Sequence, residues 1–142
     1  MQEQKISKIG LLTESLGGAI ALLLNDDRIK VMIMMAPSFY LKNVLSISKH
    51  KSKVSEKFWN EVEKINKIDV SIIKSIKCPI MIVQGSDDDN VDPKQSKELY
   101  ELLSNPKEFV LIEDGKHVLT RYPESCKKII QLSLGWFKKW LK

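Results

Sequence analysis

Three stretches of this sequence carry side chains that could work together as a nucleophile, an acid and a base. Ser15 lies in the segment TESLGG, the acidic cluster SDDD occupies residues 86–89, and His117 lies in the segment DGKHVLT. A serine hydroxyl is a weak nucleophile until a neighbouring base takes its proton. A carboxylate that orients an imidazole, which in turn activates a serine, is the arrangement that performs acyl transfer.

Each of the three segments follows an apolar run of strand length, which predicts the scaffold that positions them. The predicted strands are at residues 8–12, 31–37, 78–85 and 108–113. Such runs are typical of strands buried on both faces, and their alternation with helical segments predicts an α/β parallel sheet flanked by helices. Function in such sheets gathers at the carboxyl ends of the strands. We therefore expect the three segments to meet at one rim.

The helical segments are predicted from apolar periodicity and from end signals. Asp92, Pro93 and Gln95 predict a helix start with a cap, a first-turn proline and a capping-box partner. Three buried helix faces follow from spacing. They consist of Leu16, Ile20, Leu23 and Leu24; of Val54, Phe58, Val62 and Ile65; and of Cys126, Ile130, Ser133, Phe137 and Leu141.

Length and composition indicate one globular domain and exclude several partner classes. The chain has 142 residues and a net charge of +5 from dispersed lysines. No aromatic-basic recognition motif accompanies its denser basic spots, at 49–53 and 138–142, so solvated helix faces are favoured over nucleic-acid binding. The two cysteines match no metal or redox spacing. The polar N-terminus and the shortness of the apolar runs predict a cytoplasmic protein without a membrane span.

Three longer stretches resemble the second half of an α/β-hydrolase. They read IGLLTESLGGAIALLL, IKCPIMIVQGSDDDNVDPKQSKELYELL and FVLIEDGKHVLTRYPE. They are most similar to the carboxylesterase and monoglyceride-lipase group, or to the peptidase-like hydrolases related to it. The chain order serine, aspartate, histidine is also that of this fold. The resemblance implies one partial domain over residues 1–142, with the last four of eight strands and a short cap-like segment at 38–77.

The resemblance also implies a role for each site residue and requires no cofactor and no metal. Ser15 would be the nucleophile on a sharp strand-to-helix turn, and the Leu16 backbone N–H would be one oxyanion donor. Asp88 would be the acid, because the family places it three residues after a strand-ending glycine, here Gly85. His117 would be the base, since it lies in a loop similar to the family's glycine–histidine loop.

Other interpretations of the same residues stay open. Ser15 could simply cap the following helix, because serine is a preferred N-cap residue. Thr13 stands where the family has glycine, and its branched side chain could crowd the turn. The acidic cluster could suggest calcium, but it lacks the glycine and the final glutamate of a calcium loop. The aromatic residues of the cap-like segment could line an acyl pocket, although core packing is the better expectation; they are Phe39, Tyr40, Phe58 and Trp59.

The function implied by the resemblance is hydrolysis of carboxylic esters, with two alternatives. One is a catalytically inactive half-fold that serves as an interaction module or is a gene remnant; the other is a peptidase-like hydrolase. The family's second oxyanion donor belongs to the half that is absent here, and the strand at 8–12 would have an open edge. We therefore expect a truncated or split form, a homodimer through that edge, or a complementing N-terminal half.

Overall fold

The computed structural model describes residues 6–24, 26–40, 68–104 and 106–142, and the single positions 55, 57 and 60. Four strands and four α-helices alternate in these residues, with a 3-10 turn at Leu119–Arg121. The strands are β1 Ile9–Glu14, β2 Ile29–Met35, β3 Ile80–Gly85 and β4 Lys107–Ile112. The helices are α1 Leu16–Leu24, α2 Val70–Ser75, α3 Pro93–Leu102 and α4 Pro123–Trp140.

The strands form one parallel sheet in the order β1-β2-β3-β4, which confirms the predicted fold class. The strand boundaries differ from the predicted ones by one or two residues. β2 ends at Met35 rather than at Pro37, because Ala36 turns the chain with a φ of 42°. All four carboxyl ends lie at the same rim of the sheet because the strands are parallel.

The central strands β2 and β3 are buried, and helices cover both faces of the sheet. On one face, Leu22 of α1 and Leu99 of α3 pack with Met34 and Ile82. On the other face, Trp136 of α4 packs in a second cluster with Ile33 and Val83. The edge strands β1 and β4 are only half buried. Phe39 is completely buried in the core, as expected for core packing, whereas Phe58 and Trp59 lie outside the described residues.

The predicted inner face of α1 is wrong at three of its four positions: Leu16 packs against the core, but Ile20, Leu23 and Leu24 are exposed. Ile20 and Leu24 are 56% and 57% exposed, whereas Ala21 and Leu22 are buried. Apolar residues occupy nearly the whole circumference of α1, so periodicity could not select the buried side. The small residues Gly18, Ala19 and Ala21 determine which side is buried, because they let the helix approach the loop after β2. A Cβ added at Gly18 would lie 2.7 Å from the Cβ of Pro37.

The predicted inner face of α4 is wrong at two of its positions. Ile130 is 53% exposed and Leu141 is also exposed, whereas Ile129, Ser133 and Trp136 are buried. Adjacent apolar pairs in α4 make a shift of one residue equally consistent with helical spacing. The predicted helix through Val54, Phe58, Val62 and Ile65 lies outside the described residues.

The start of α3 is confirmed, apart from the capping box. Asp92 accepts a hydrogen bond from the Lys94 N–H at 2.8 Å, and Pro93 is the first helical residue. The side-chain oxygen of Gln95 accepts instead from the Tyr40 N–H at 3.2 Å. Both cysteines are free thiols. In the part of the chain that the structure describes, every helix is too short or too polar to cross a bilayer.

Candidate active site

Ser15 occupies a strained turn between β1 and α1. Its φ is 53°, in the left-handed region that costs a residue with a side chain about 1–2 kcal/mol. Backbone hydrogen bonds hold the turn: the Ser15 N–H donates to the Met35 carbonyl at 2.9 Å. The Gly18 and Ser38 N–H groups both donate to the Ser15 carbonyl at 3.0 Å. The turn therefore fixes the direction of the Ser15 side chain.

The geometry of Ser15 differs from that of a serine that caps a helix. An N-cap residue normally has an extended backbone, and its side-chain oxygen accepts a hydrogen bond from the first turn of the helix. The Ser15 backbone is left-handed. Its Oγ lies 2.9 Å from His117 Nε2 and 3.4 Å from Ser38 Oγ. The hydroxyl thus faces the other side chains of the site.

Thr13 fits beside this turn. Its Oγ1 donates a hydrogen bond to the Ile33 carbonyl at 3.4 Å. A Cβ added at Gly17 would lie 3.6 Å from the Thr13 Cβ, which is an ordinary contact distance. The strand-to-helix turn therefore forms with threonine at a position where the resembling family has glycine.

The Asp88 side chain is completely buried, and its carboxylate accepts four hydrogen bonds. Oδ1 accepts from the N–H groups of Asn90 and Val91 at 2.9 and 2.8 Å. Oδ2 accepts from Gln84 Nε2 at 3.0 Å and lies 2.9 Å from His117 Nδ1. Burial raises the pKa of this carboxyl, but the hydrogen bonds from His117 and the two backbone amides outweigh burial and leave its pKa below the usual value.

Two glycines allow the loop after β3, which carries Asp88 (the acid loop), to contact the loop after β4, which carries His117 (the histidine loop). A Cβ added at Gly85 would lie 2.2 Å from the Gly115 carbonyl oxygen, so only glycine fits at the end of β3. The Asp87 N–H donates to that same carbonyl at 3.0 Å, and the Asp114 N–H donates to Ser86 Oγ at 2.9 Å. These contacts place Asp88 beside His117, a residue 29 positions away in the chain.

His117 lies between the carboxylate and the serine hydroxyl. Its hydrogen bond to Asp88 raises the pKa of the imidazole, burial opposes that effect, and the charges of Asp88, Glu14 and Asp89 raise the pKa further. The carboxylate at Nδ1 assigns the proton to that nitrogen. Nε2 of the neutral ring is then an acceptor for the Ser15 hydroxyl. This arrangement can remove a proton from Ser15 and stabilise the resulting imidazolium.

The other predicted positions lie nearby. Leu16 is the first residue of α1, so its N–H is one of the four that a helix leaves without an internal partner. Asp87 is exposed and forms an ion pair with Lys116 at 3.2 Å, and Asp89 is exposed. Neither contacts His117 through a hydrogen bond in the described residues. Those residues also contain no cluster of three or more potential metal ligands.

Three residues of the site escaped the sequence analysis. Ser38 is buried with its hydroxyl beside that of Ser15, and Gln84 is buried beside Asp88. Glu14 is half buried, and burial raises its pKa against the opposing effect of His117 and Arg121. Ser38 could have been recognised as a site residue, because it lies just after β2, at the rim formed by the carboxyl ends of the strands. Gln84 could have been found because it is the one amide in an apolar strand, where a polar group needs a partner.

Comparisons with known proteins agree with this fold. Residues 4–142 match the family model of the prolyl oligopeptidase family. The esterase domain of a Rhodothermus marinus protein superposes with a TM-score of 0.74 at 17% identity, over 94% of this chain and 62% of that one. An α/β-hydrolase enzyme from a lagoon-sediment metagenome of Mar Chica, Morocco, gives 0.70 at 20% identity, over 94% and 63%. The resemblance to α/β-hydrolases is thereby confirmed.

A polyketide transferase from Stachybotrys chlorohalonatus is 38% identical over 64 residues, which are 45% of this chain and 22% of that protein. This chain spans less than two thirds of the length of each of these three proteins. The activities named for these proteins therefore belong to chains longer than the region that matches this one.

Proposed function

This chain belongs to the prolyl oligopeptidase family, and we propose that it is a serine hydrolase of carboxylic esters. Ser15 is the nucleophile, His117 the general base and Asp88 the residue that orients the base. One observation carries the proposal: a continuous hydrogen-bonded series joins Ser15 Oγ to His117 Nε2 and His117 Nδ1 to Asp88 Oδ2, each at 2.9 Å.

In the proposed reaction Ser15 Oγ attacks the ester carbonyl carbon while His117 Nε2 takes the hydroxyl proton. Asp88 stabilises the imidazolium that forms. The Leu16 N–H donates to the oxyanion of the tetrahedral intermediate. Collapse of the intermediate expels the alcohol, which receives the proton from His117. A water molecule activated by the same histidine then hydrolyses the acyl-serine, and the carboxylic acid is released.

The proposal includes further strands of the same fold, paired with the open edge of β1. Within the described residues β1 pairs with β2 alone, and Leu12 on β1 is 49% exposed. The neighbouring apolar residues Ile20 and Leu24 of α1 are also exposed. The added strands could belong to a longer form of this chain, a second copy or a separate polypeptide. They would supply a second oxyanion donor, whose loss costs about 100- to 1000-fold in turnover elsewhere.

The family assignment favours peptide bonds as a second candidate substrate class, since the family is named for oligopeptidases. The Rhodothermus marinus esterase domain supports ester bonds only through the shared fold. A matched pair of chromogenic substrates distinguishes the two candidates, a nitrophenyl ester and a nitroanilide with the same acyl group. Preferential turnover of the anilide would replace the ester proposal by the peptide proposal.

The proposal also places the protein in the cytoplasm, which the two free cysteines support because cytosolic thiols stay reduced.

The decisive experiment measures ester turnover by the purified chain and three serine variants. Ser15→Ala is expected to lower kcat about 10⁴-fold or more, because the nucleophile is gone. Ser38→Ala is expected to keep most of the turnover, because His117 Nε2 is bonded to Ser15. Ser133→Ala, a buried serine on α4, is the matched control for stability. Turnover that survives in Ser15→Ala would contradict the assignment of Ser15 as the nucleophile. No turnover in any form would favour the inactive half-fold.

A further inference from the structure

Gln84 is a buried amide next to the acid of the candidate site. It lies on β3, four residues before Asp88, and its side chain is completely shielded from solvent. Its Nε2 donates to Asp88 Oδ2 at 3.0 Å, which is the same oxygen that faces His117 Nδ1. Gln84 and His117 therefore approach one carboxylate oxygen from two sides.

The surrounding atoms determine which way the Gln84 amide points. Nε2 is within hydrogen-bond distance of three acceptors: Asp88 Oδ2, the Gly85 carbonyl at 3.2 Å and the Val91 carbonyl at 3.4 Å. On the opposite side, Ser96 Oγ donates to Oε1 at 2.5 Å. A reversed amide would set its oxygen against three acceptors, so the network assigns the NH₂ group to the Asp88 side.

Ser96 connects this amide to α3. The serine is completely buried on that helix, and its hydroxyl is placed by the helix backbone. The connection runs from α3 through Ser96 Oγ, the Gln84 amide and Asp88 Oδ2 to His117 Nδ1. Every step in this connection is 3.0 Å or shorter.

We propose that Gln84 is a positioning residue for Asp88, and that Ser96 holds the Gln84 amide in the donating orientation. The backbone amides of Asn90 and Val91 fix Oδ1, and Gln84 fixes Oδ2, so the carboxylate cannot rotate away from His117. Gln84 acts through Asp88 and has no direct role in the chemistry. The consequence for catalysis rests on the proposed function, whereas the consequence for the carboxylate itself does not.

The test removes the Gln84 amide while keeping its volume, in the variant Gln84→Met. Asp88 then keeps three of its four hydrogen bonds, so a buried carboxylate loses a donor and its pKa rises. The measurement is a carbon-13 titration of the aspartate carboxyls, with Asp88 assigned from Asp88→Asn. His117 and Glu14 interact electrostatically with Asp88 and are unchanged in the variant. In turnover assays we expect kcat to fall roughly tenfold with KM unchanged, because a donor to a charged group is lost.

A matched pair of serine variants tests the second part. Ser96→Ala removes the donor to Gln84 Oε1, whereas Ser133→Ala removes a buried hydroxyl with no hydrogen-bond partner in the described residues. We expect Ser96→Ala to raise the Asp88 pKa in the same direction as Gln84→Met and by less. We expect Ser133→Ala to leave the Asp88 titration unchanged. The serine pair also decides the matter if Gln84→Met does not fold.

The possible results separate this inference from the proposed function. An Asp88 titration that is unchanged in both Gln84→Met and Ser96→Ala overturns the positioning role. Equal titrations in Ser96→Ala and Ser133→Ala overturn the role of Ser96. A parallel loss of kcat and rise of KM in Gln84→Met would indicate general disorder of the site and also contradict the inference. If the wild-type chain has no turnover, the proposed function fails, and the carboxyl titration still decides the positioning role.

Discussion

The two sides of the candidate site differ in burial. The side that carries Asp88 and His117 (the covered side) is formed by β3, β4 and α3 and is well shielded from solvent. The side that carries Ser15 (the nucleophile side) is formed by β1 and α1 and leaves apolar residues exposed. Asp88 has all its neighbours in place: two backbone amides, Gln84 and His117. On the nucleophile side, the exposed Leu12 and Leu24 lie on the edge strand and its helix. Ser15 itself is nevertheless held by backbone hydrogen bonds from β2 and the loop after it.

The difference shows which parts of the candidate site depend on the four described strands and their loops. The Ser15–His117–Asp88 geometry needs four parallel strands and the two loops joined by Gly85 and Gly115. The proposed function assigns the second oxyanion donor and the covering of the exposed apolar residues of α1 to neighbours on the far side of β1. In the proposed enzyme, the described residues therefore position the nucleophile and the base, whereas full turnover requires further strands on the edge of β1.

The largest expected effect lies on the covered side. Asp88→Asn should lower kcat about 10⁴-fold, because the amide supports the wrong histidine tautomer while keeping the shape of the side chain. Asp87→Asn and Asp89→Asn are matched controls, since both residues are exposed neighbours in the same cluster. Steady-state ester hydrolysis measures all three. Equal losses in the three variants would show that Asp88 has been assigned wrongly.

The next effect compares the two faces of one helix. Leu22 of α1 is buried and Leu24 is 57% exposed. Leu22→Ala should lower the free energy of unfolding by about 2–5 kcal/mol, whereas Leu24→Ala should change it by about 0.5 kcal/mol or less. Urea denaturation provides the measurement. A large loss in Leu24→Ala would mean that the exposed face is covered in solution, and light scattering would then reveal a self-association partner.

A glycine pair tests the contact between the acid and histidine loops. Gly85→Ala should lower the free energy of unfolding by about 3 kcal/mol, because the new methyl group overlaps the Gly115 carbonyl. Gly135→Ala meets no atom within 4 Å and should stabilise α4 by about 0.5–1 kcal/mol. Thermal unfolding compares them. A neutral Gly85→Ala would show that the loops are not in close contact.

The smallest expected effect is the pH dependence of the base. Because the His117 pKa is raised above 6.5 in the folded chain, its stabilising contribution is complete below 6.5 and is lost as the pH rises through the folded pKa. Ester hydrolysis should have the opposite trend, because only the neutral imidazole accepts the Ser15 proton. The acid limb of kcat/KM should therefore have its midpoint above 6.5. A midpoint at or below 6.5 would contradict the hydrogen bond to Asp88.

Much of the fold could be predicted from sequence because it depends on local patterns. The family resemblance then selected the three side chains that the structure brings together, Ser15, Asp88 and His117. Apolar runs specified the parallel strands, and the strand ends carried the reactive side chains. The buried side of α1 could not be predicted from periodicity, because apolar residues occur all around the helix. The close contact of Gly18 with Pro37 determines which side faces the core. The roles of Gln84 and Ser96 also required coordinates, since only the fold brings β3 and α3 side by side.

The central claim is that Ser15 is activated by His117, and labelling with a fluorophosphonate probe tests it most directly. The probe forms a covalent bond only with an activated serine, and mass spectrometry of the digested chain locates the label. We expect labelling of Ser15 in the folded wild-type chain, and its loss in His117→Ala and in heat-denatured protein. Label on another serine, or equal labelling of Ser15 after His117→Ala, would contradict the account.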